Sequence, residues 1–478
     1  MRVLIRGVKL FIPDNNLRVC FDIIRHKAYS RRLLSSTSQR FHKFDDFRNT
    51  ALLLDKADPL ASAKCKFIIP SRSDITENSN ISDPDNNSVY LAGNSLGLQP
   101  IRTQELLRED LAVWAKGGVN GHFRHSYSRP WLSIDETVTS IMADVVGANT
   151  EEVAVMSTLT TNLHLLLSAF YRPTEDRYKI IIEQRAFPSD HYAIQSQIAL
   201  NCRYKDDALV LIKPPEGEQI LPTQHILDTI TQHADSTALL MLPGIQYYTG
   251  QAFEVEKITK YAQSLGIKVG WDMAHAAGNL KLELHDWGVD FAVWCTYKYL
   301  NSGPGGIGGL FVHEKNFDVP RLTGWWAHEK KTRFIMDNNF VPGKGASAFQ
   351  LSNPSVLDTV ALLASLEVFN EYGMSALRAK SEKLTSFLES LLNETFSQSS
   401  PFTIITPSDP SQRGAQLSLL FKPGLMDKIH AYLDANAVTT DERKPDVIRV
   451  APTPLYNTHS DVVKFVETLK MAVDEASG

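Results

Sequence analysis

An aspartate and a lysine follow two consecutive strand-like segments, in positions where both could act on one molecule. The apolar segment Ile267–Trp271 runs directly into Asp272, and the segment Phe291–Trp294 is followed closely by Lys298. A helical crossover between the segments would bring both residues to one edge of a parallel sheet, where open α/β sheets bind ligands. A lysine in an apolar, aromatic setting can hold an aldehyde as a Schiff base, and a carboxylate can hold the ring nitrogen of pyridoxal phosphate. The pair predicts pyridoxal 5'-phosphate chemistry; the alternative is a solvated lysine and a helix-capping aspartate.

A phosphate-bearing cofactor also needs hydrogen-bond donors, and Ser157–Asn162 offers them ahead of an apolar helix. Hydroxyl and free N–H groups at a helix start bind anions, although Ser and Thr in such positions commonly serve as caps. The segment Gly303–Gly308 has the spacing of a dinucleotide fingerprint, but it runs into another apolar strand instead of opening a helix. We interpret it as a tight turn and reject a nicotinamide cofactor. Asp272 and His275 have the spacing of two metal ligands, but no further ligand is spaced nearby, so no metal is predicted.

The elements that would position these residues alternate between short β-rich and longer helical segments from about residue 150 to 315. Several strands are apolar on both faces, which is typical of a parallel sheet covered by helices on both sides. The predicted strands are Tyr178–Ile182, Ala208–Ile212, Ala238–Leu242, Ile267–Trp271, Phe291–Trp294 and Ile307–Val312. A helical stretch near 355–394 then leads into a smaller βαβ-like region. The predicted fold class is α/β, with a mostly parallel large domain and a smaller C-terminal α+β domain.

These patterns divide the 478 residues into four predicted segments. Residues 1–45 form a basic N-terminal extension, 46–130 an arm with helices, 131–355 the large cofactor-binding domain, and 356–478 the small domain. Residues 1–43 hold ten Lys/Arg and two acidic residues, whereas the rest carries a net charge of −13. The acidic body argues against nucleic acid as a partner, and the longest apolar run is too short to span a membrane. The four scattered cysteines exclude a disulfide scaffold.

The N-terminal composition leaves the compartment open. Basic residues with a Ser cluster and few acids are typical of a mitochondrial transit peptide. However, Pro13–Asn16 interrupts the amphipathic pattern, so a plain extension is the alternative.

Eight segments dispersed from about residue 88 to the C-terminus together resemble the kynureninase family, whose members are pyridoxal-phosphate enzymes of the fold-type I, class V aminotransferase-like group. Each segment alone would be unspecific, but their length and common order make the resemblance specific. They are Tyr90–Pro100, Ala186–Tyr192, Tyr247–Gly250, Asp272–His275, Trp294–Asn301, Gly324–His328, Leu351–Pro354 and Ile448–Pro452.

The resemblance implies a hydrolase that cleaves the Cβ–Cγ bond of L-kynurenine or 3-hydroxy-L-kynurenine, in tryptophan catabolism and NAD biosynthesis. It implies that Lys298 carries the cofactor and moves the Cα proton, and that Tyr297 is the acid that protonates Cβ. It also implies a homodimer with shared active sites in the cytoplasm. The residues implied to bind the cofactor are Leu159, Thr160, Phe187, Pro188, Ser189, Asp190, Asp272, His275, Tyr297, Lys298, Trp325 and Asn353, of which Trp325 and Asn353 come from the second subunit.

For the substrate, the resemblance implies that Arg449 binds the α-carboxylate and that His122 and Asn353 contact the aromatic part. One position departs from the family, because Pro243 stands where relatives usually place a small hydroxyl residue, and proline lacks both a hydroxyl and an N–H. Alternatives remain within the same fold, namely a desulfurase-like or aminotransferase-like enzyme. A further alternative is a catalytically silent relative, which would have no need for an intact Asp272, Lys298 and Arg449.

Overall fold

A computed structural model describes residues 36–76, 87–201 and 206–477. Contacts divide the chain into two compact units, Met1–Asp58 and Pro59–Gly478. The described part of the first unit contains one long helix, α1 (Ser36–Lys56). Most of the predicted extension 1–45, and with it the possible transit peptide, lies outside the described residues.

The second unit carries the remaining elements. Its α-helices are α2 (Arg72–Ile75), α3 (Ile101–Gly117), α4 (Glu136–Val146), α5 (Leu159–Phe170), α6 (Pro188–Asn201), α7 (Thr223–His233), α8 (Val255–Ser264), α9 (Val356–Tyr372), α10 (Met374–Thr395), α11 (Met426–Ala435) and α12 (His459–Ser477). Its strands are β1 (Val89–Tyr90), β2 (Val153–Val155), β3 (Lys179–Glu183), β4 (Leu209–Ile212), β5 (Thr237–Pro243), β6 (Lys268–Asp272), β7 (Phe291–Cys295), β8 (Gly308–Val312), β9 (Phe402–Ile404), β10 (Leu417–Phe421), β11 (Val438–Thr439), β12 (Asp441–Arg443) and β13 (Val447–Val450). Short 3₁₀ helices connect them at Ala61–Lys66, Gly118–His122, Trp131–Ser133, Thr150–Glu152, Ala234–Ser236, Glu314–Asn316, Trp325–Ala327, Arg333–Ile335, Gly345–Phe349 and Pro410–Gln412.

A seven-stranded sheet in the order β2-β8-β7-β6-β5-β3-β4 forms the centre of this unit. Five neighbouring strands of the sheet, β7, β6, β5, β3 and β4, are parallel to one another. Strand β8 runs antiparallel to its neighbours β7 and β2. In the register of the sheet, Pro243 lies beside Asp272, and Asp272 lies beside Val293. The carboxyl ends of β5, β6 and β7 therefore meet at one edge, which is where the sequence predicts the site.

Both faces of this sheet are covered, as the doubly apolar strands predict. Successive residues of one strand point to opposite faces, so Leu240 and Leu242 pack into one buried cluster while Leu239 and Met241 pack into another. All six predicted strands of the large domain are present in the described residues. The fold class is thus confirmed at the level of elements and of their pairing.

The glycine-rich segment is a turn, as predicted. Gly303 and Gly305 adopt φ angles of +96° and +68°, a region that disfavours residues with a Cβ. The N–H of Gly306 donates to the carbonyl of Gly303 at 3.1 Å, and the chain then enters β8 without opening a helix. This geometry excludes the dinucleotide fingerprint that the spacing suggests.

The C-terminal region contains a four-stranded antiparallel sheet in the order β12-β13-β10-β9. It differs from the prediction in its strands and in its helices. The predicted βαβ-like unit implies parallel strands, whereas β10 and β13 are antiparallel, and the short strands β9 and β11 were not predicted. The helical stretch near 355–394 is two helices, because Gly373 takes a φ of +74° and ends the first one. The short strand β12 was not predicted, and it pairs Asp441 directly with Arg449. The four predicted segment boundaries themselves stay predictions. Among the described helices, none has the length and apolar character needed to cross a bilayer.

Candidate active site

A cavity of about 110 Å³ opens at the carboxyl edge of the large sheet. As predicted, both Asp272, the last residue of β6, and Lys298, in the loop after β7, line it. The other lining residues come from helix starts and strand ends around them: Leu159, Thr160, Glu183, Phe187, Ser189, Asp190, Pro243, Ile245, Tyr247, Ala274, His275 and Tyr297. Pro188 begins helix α6, between the lining residues Phe187 and Ser189. One chain therefore brings together most of the residues implied to bind the cofactor.

Lys298 points at a buried histidine. Its Nζ atom lies 2.9 Å from Nε2 of His275 and 5.7 Å from the centre of the Phe187 ring. Burial, together with the nearby Lys298 cation, lowers the pKa of His275 well below its usual value. The imidazole is therefore neutral at physiological pH and accepts a hydrogen bond from the lysine. Its Nδ1 atom has no hydrogen-bond partner among the described residues.

The loop that carries the lysine is held by the distant segment Tyr90–Pro100. The N–H of Gly97 donates to the carbonyl of Tyr297 at 2.8 Å. A Cβ atom at Gly97 would lie 2.3 Å from the carbonyl oxygen of Lys298, so no larger residue fits there. Three residues after the lysine, Asn301 adopts a φ of +52° and donates to the carbonyl of Tyr299 at 2.8 Å. Strained backbone of this kind persists only where its surroundings enforce it, which is typical of functional sites.

Two carboxyl groups meet beside the lysine. Asp272 accepts a hydrogen bond from the N–H of Ala274 at 2.7 Å. Asp190 is buried, and burial together with the hydrogen-bonded Asp272 carboxyl raises the pKa of Asp190 well above its usual value. Two adjacent buried carboxyl groups do not both ionise readily, so Asp190 holds a proton. This leaves one negative charge in position for a protonated ring nitrogen.

Sequence reasoning missed Glu183, which also lines the cavity and is 3% exposed. Burial raises its pKa to about 8, against smaller opposing effects of Gln246 and Arg185. The residue is the last of β3, so the rule that selected Asp272 at a strand end applies to it as well. The predicted strand stopped one residue earlier, at Ile182, and the carboxylate was passed over.

The start of helix α5 is where the sequence predicts an anion site. The first N–H groups of a helix have no partner within the helix, and the Thr158 side chain does not cap them. The hydroxyls of Thr160 and Ser189 lie 2.7 Å apart. Gly308 packs closely behind them, because a Cβ there would lie 3.0 Å from the nitrogen of Leu159. Burial raises the pKa of the neighbouring Tyr297, whose phenol therefore stays a hydrogen-bond donor.

This donor set fits pyridoxal phosphate. The helix start and the hydroxyls suit a phosphate, Lys298 suits the aldehyde, and Asp272 suits the ring nitrogen. Three residues that line the cavity carry a buried polar atom without a hydrogen-bond partner among the described residues: Oε1 of Glu183, Oδ1 of Asp190 and Nδ1 of His275. Such atoms are costly to bury unless a ligand or water satisfies them.

Arg449 is buried outside the residues that line the cavity. Its Nε donates to Asp441 at 3.0 Å and its Nη1 donates to the carbonyl of Tyr247 at 2.8 Å. Nη2 lies 2.8 Å from the same carboxylate, but without the alignment of a hydrogen bond. Burial is the main cause of a lowered pKa for this arginine. Since Tyr247 lines the cavity, Arg449 contacts the cavity wall through the carbonyl of Tyr247.

His122, Trp325 and Asn353 lie away from the cavity within the chain. His122 contacts the carbonyl of Val119 at 3.1 Å and packs edge-on against Trp131. Trp325 is 47% exposed, and Asn353 is exposed as well. The structure therefore does not bring these three residues to Lys298.

Trp325 belongs to an exposed aromatic face, which we define as Phe123, Trp325 and Phe334. The Phe334 ring lies 5.5 Å from Trp325 and 6.1 Å from Phe123, measured between ring centres. Three large aromatic residues that are 47–58% exposed form a patch that marks interaction surfaces in soluble proteins.

A second cluster of ionisable side chains lies elsewhere, where ligand atoms of Glu152, His285 and His313 come within 4.8 Å of one another. These atoms already have partners. Glu152 accepts from the N–H of Glu314 at 2.9 Å and contacts Nδ1 of His285 at 3.0 Å. Nδ1 of His313 accepts from the N–H of Lys315 at 3.2 Å. The cluster is explained as a hydrogen-bonded tie between segments.

Solved structures share this architecture at low sequence identity. The apo structure of the cysteine desulfurase from Thermococcus onnurineus NA1 superposes with a TM-score of 0.67 and 19% identity, covering 81% of this chain and 95% of that one. The complex between the cystine C-S lyase C-DES and its reaction product cysteine persulfide gives a TM-score of 0.67 at 17% identity, covering 80% of this chain and 97% of that one. These matches establish the fold.

Sequence comparison is more specific. Residues 377–469 match the family model described as the kynureninase C-terminal domain. Kynureninase of Coccidioides immitis (strain RS) is 54% identical over 442 residues, which cover 88% of this chain and 92% of that protein. Kynureninase 1 of Emericella nidulans is 53% identical, covering 90% and 94%, and kynureninase 2 of Aspergillus oryzae is 51% identical, covering 89% and 95%. With the cavity described above, these similarities show that the chain belongs to the kynureninase family.

Proposed function

We propose that this chain is a pyridoxal-phosphate-dependent hydrolase that cleaves the Cβ–Cγ bond of L-kynurenine and/or 3-hydroxy-L-kynurenine. The products are L-alanine and anthranilate or 3-hydroxyanthranilate, which places the reaction in tryptophan catabolism and NAD biosynthesis. The observation that carries the proposal is the convergence of Asp272 and Lys298 on one cavity in a chain of this family.

The residues of the cavity divide the work of holding the cofactor. Leu159 and Thr160 bind its phosphate at the helix start, and Tyr297 donates to it from the other side. Phe187 covers the ring, and Asp272 holds the ring nitrogen. When bound, the cofactor withdraws electrons from the substrate carbon attached to the amine.

Lys298 and its neighbours carry out the proton transfers. The amine of Lys298 removes the Cα proton of the substrate, and neutral His275 accepts a hydrogen bond from that amine and aims it. Tyr297 is the acid that protonates Cβ after cleavage, since its raised pKa keeps the proton on the phenol. A water molecule consumed in each turnover completes the hydrolysis of the ketone.

Recognition of the substrate uses residues outside the cavity wall. Arg449 binds the α-carboxylate through Nη2, the one guanidinium nitrogen without a hydrogen-bond partner among the described residues, while Nε and Nη1 stay on Asp441 and on the carbonyl of Tyr247. His122 and Asn353 contact the aromatic ketone. A homodimer with shared sites is part of this proposal, and the exposure of Trp325 and Asn353 in one chain supports it, because both side chains are then free to enter the partner's cavity.

A desulfurase activity is disfavoured by the cysteines. Such an enzyme needs a reactive thiolate on an accessible loop. Cys295 is buried beside the lysine, and burial raises the pKa of its thiol. Cys65 is exposed but is not among the residues that line the cavity. Cys20 and Cys202 lie outside the described residues.

We place the enzyme in the cytoplasm, with mitochondria as the alternative that the basic N-terminus suggests. Residues 1–45 fused to a fluorescent reporter distinguish the two. A diffuse signal supports the cytoplasm, and a mitochondrial pattern contradicts it.

The decisive assay mixes purified protein and pyridoxal phosphate with L-kynurenine or 3-hydroxy-L-kynurenine and follows the appearance of the aminobenzoate product. Turnover is expected, and the ratio of kcat/KM values gives the preferred substrate. If the protein binds the cofactor but turns over neither compound, the reaction assigned here is wrong while the cofactor assignment stands.

A further inference from the structure

Glu183 is a buried carboxyl group in the cofactor cavity to which the mechanism above gives no task. It ends β3, two strands away from Asp272 in the sheet order, and lines the same cavity. Its Oε1 atom has no hydrogen-bond partner among the described residues, although the side chain is almost fully buried. A buried polar atom without a partner is costly, so its retention at the wall of a ligand cavity calls for an explanation.

The charges around Glu183 do not supply a counter-ion. The titratable and charged groups that face it come from the segment after β3, helix α6, the segment after β5, the end of β6 and the loop after β7: Arg185, Asp190, Tyr247, Asp272 and Lys298. Within the described residues, no ion pair joins Glu183 to Arg185 or to Lys298. The side chain that most opposes the raised pKa of Glu183 is the neutral amide of Gln246, which brings no positive charge.

The cavity must also accept further negative charge. Asp272 already contributes an anion, and a phosphate adds about two more at neutral pH. A second ionised carboxylate a few ångströms away would repel the phosphate in a region that water screens poorly. A neutral Glu183 avoids this repulsion, and burial favours the neutral form of the carboxyl, whose pKa is raised to about 8.

We propose that Glu183 is a positioning residue of the cofactor site that works as a neutral carboxylic acid, so that its ionisation weakens the binding of the anionic cofactor. The inference rests on the proposed function, because it needs pyridoxal phosphate as the ligand. It adds a residue from β3 to a site otherwise assigned to the ends of β5, β6 and β7 and to two helix starts.

The test compares cofactor affinity in the wild-type apoenzyme and in Glu183→Gln, which keeps the shape of the side chain but cannot ionise. Pyridoxal phosphate is titrated into each protein at a series of pH values, and binding is followed by quenching of tryptophan fluorescence. In the wild type, Kd should rise by up to about tenfold per pH unit above about pH 8, where free Glu183 ionises. The Glu183→Gln protein should bind within about threefold of the wild type at pH 7 and lack this component of the rise.

Two further variants control the result. Glu183→Asp retains an ionisable carboxyl and should keep a pH-dependent affinity, whereas Glu256→Gln changes an exposed carboxyl on α8 and should follow the wild type. The difference between profiles isolates Glu183 from the other ionisable groups of the cavity, which all four proteins share. Parallel profiles for the wild type and Glu183→Gln would overturn the proposal.

Thermal unfolding of the apoproteins provides a readout that needs no cofactor. The folded-state pKa of Glu183 is raised above the unfolded value, so the folded wild type loses stability relative to the unfolded chain as pH rises towards 8. Glu183→Gln should lose less of its Tm between about pH 6 and pH 8, and an equal loss in both proteins would count against a neutral Glu183. A wild type that binds no pyridoxal phosphate at any pH would contradict the proposed function, while this comparison would still decide the state of Glu183.

Discussion

The cavity and the aromatic face of this chain differ in how much of the implied site each completes. At the cavity, side chains from β3, β5, β6 and the loop after β7 converge within one chain, and Lys298 already contacts His275 at 2.9 Å. At the aromatic face, Trp325 is 47% exposed, and its indole N–H donates a hydrogen bond to the carbonyl of Arg333 at 3.2 Å. The fold of a single chain therefore brings together most of the residues implied to bind the cofactor, whereas His122, Trp325 and Asn353 do not line the cavity within that chain.

The difference follows from the way each region is built. Parallel strands fix the positions of their last residues through backbone hydrogen bonds and burial on both faces, so chemistry placed there is rigid. The aromatic face consists of short 3₁₀ turns and loops, Gly118–His122, Trp325–Ala327 and Arg333–Ile335 among them. The homodimer proposed above would order such a surface, and the following variants separate the cavity from the aromatic face.

The largest effect is expected at the cavity. Lys298→Ala should lower kcat by about a thousandfold or more, because it removes both the attachment of the cofactor and the base that moves the Cα proton. It should also remove the visible absorbance of the lysine-bound cofactor, which a spectrum of the purified protein shows. Lys281→Ala, at a lysine that is 57% exposed and pairs with Glu283, is the matched control. Activity that survived in Lys298→Ala would assign the base to another residue.

The second variant breaks the aromatic face and leaves the cavity intact. Trp325→Ala should lower kcat/KM by about a hundredfold, since buried aromatic anchors contribute roughly 2–4 kcal/mol at interfaces, while cofactor absorbance is retained. Mixed dimers of this variant with Lys298→Ala then report where Trp325 acts. If the tryptophan serves the partner's cavity, each mixed dimer regains one intact site.

Random exchange of subunits makes about half of the dimers mixed, so recovered activity should approach about a quarter of the wild-type value. Refolding the two variants together and assaying the mixture against each variant alone gives this number. No recovery would mean that Trp325 acts on its own chain or only supports the fold.

The third variant tests Arg449, which contacts the carbonyl of the lining residue Tyr247 but does not itself line the cavity. Arg449→Lys should raise KM for kynurenine by about ten- to a hundredfold with a smaller change in kcat, because an ammonium cannot reproduce two parallel hydrogen bonds to a carboxylate. Steady-state kinetics measure the split. Asp441→Asn is informative beside it, since Asp441 holds Nε of Arg449 at 3.0 Å. An unchanged KM in Arg449→Lys would contradict a carboxylate contact.

The contrast between the cavity and the aromatic face also shows how far the sequence alone can predict the site. Asp272 and Lys298 were predictable, because apolar runs end just before them and parallel topology brings strand ends together. Glu183 obeys the same rule and was missed by one residue in the length of β3. The pairing of Asp441 with Arg449 depends on an antiparallel register that no local pattern reveals. His122, Trp325 and Asn353 came from family resemblance alone, since a sequence does not encode which chain a loop will contact.

The smallest effect concerns the protonation of His275 in the cavity and the resulting dependence of stability on pH. His275 is buried and neutral with a lowered pKa, so the unfolded chain takes up a proton near pH 6.5 that the folded chain refuses. The stability of the apoenzyme should therefore fall by about 1.4 kcal/mol for each pH unit below 6.5 from this residue alone, until the folded-state pKa is reached. His275→Gln removes this pH-dependent loss of stability, so the Tm of the variant should decline less than that of the wild type between about pH 6.5 and pH 5.5. His191→Gln, at a histidine that does not line the cavity, should decline like the wild type. Equal declines in the wild type and His275→Gln would show that the imidazole is protonated inside the cavity, and Lys298 would then have to lie beside it as the free amine.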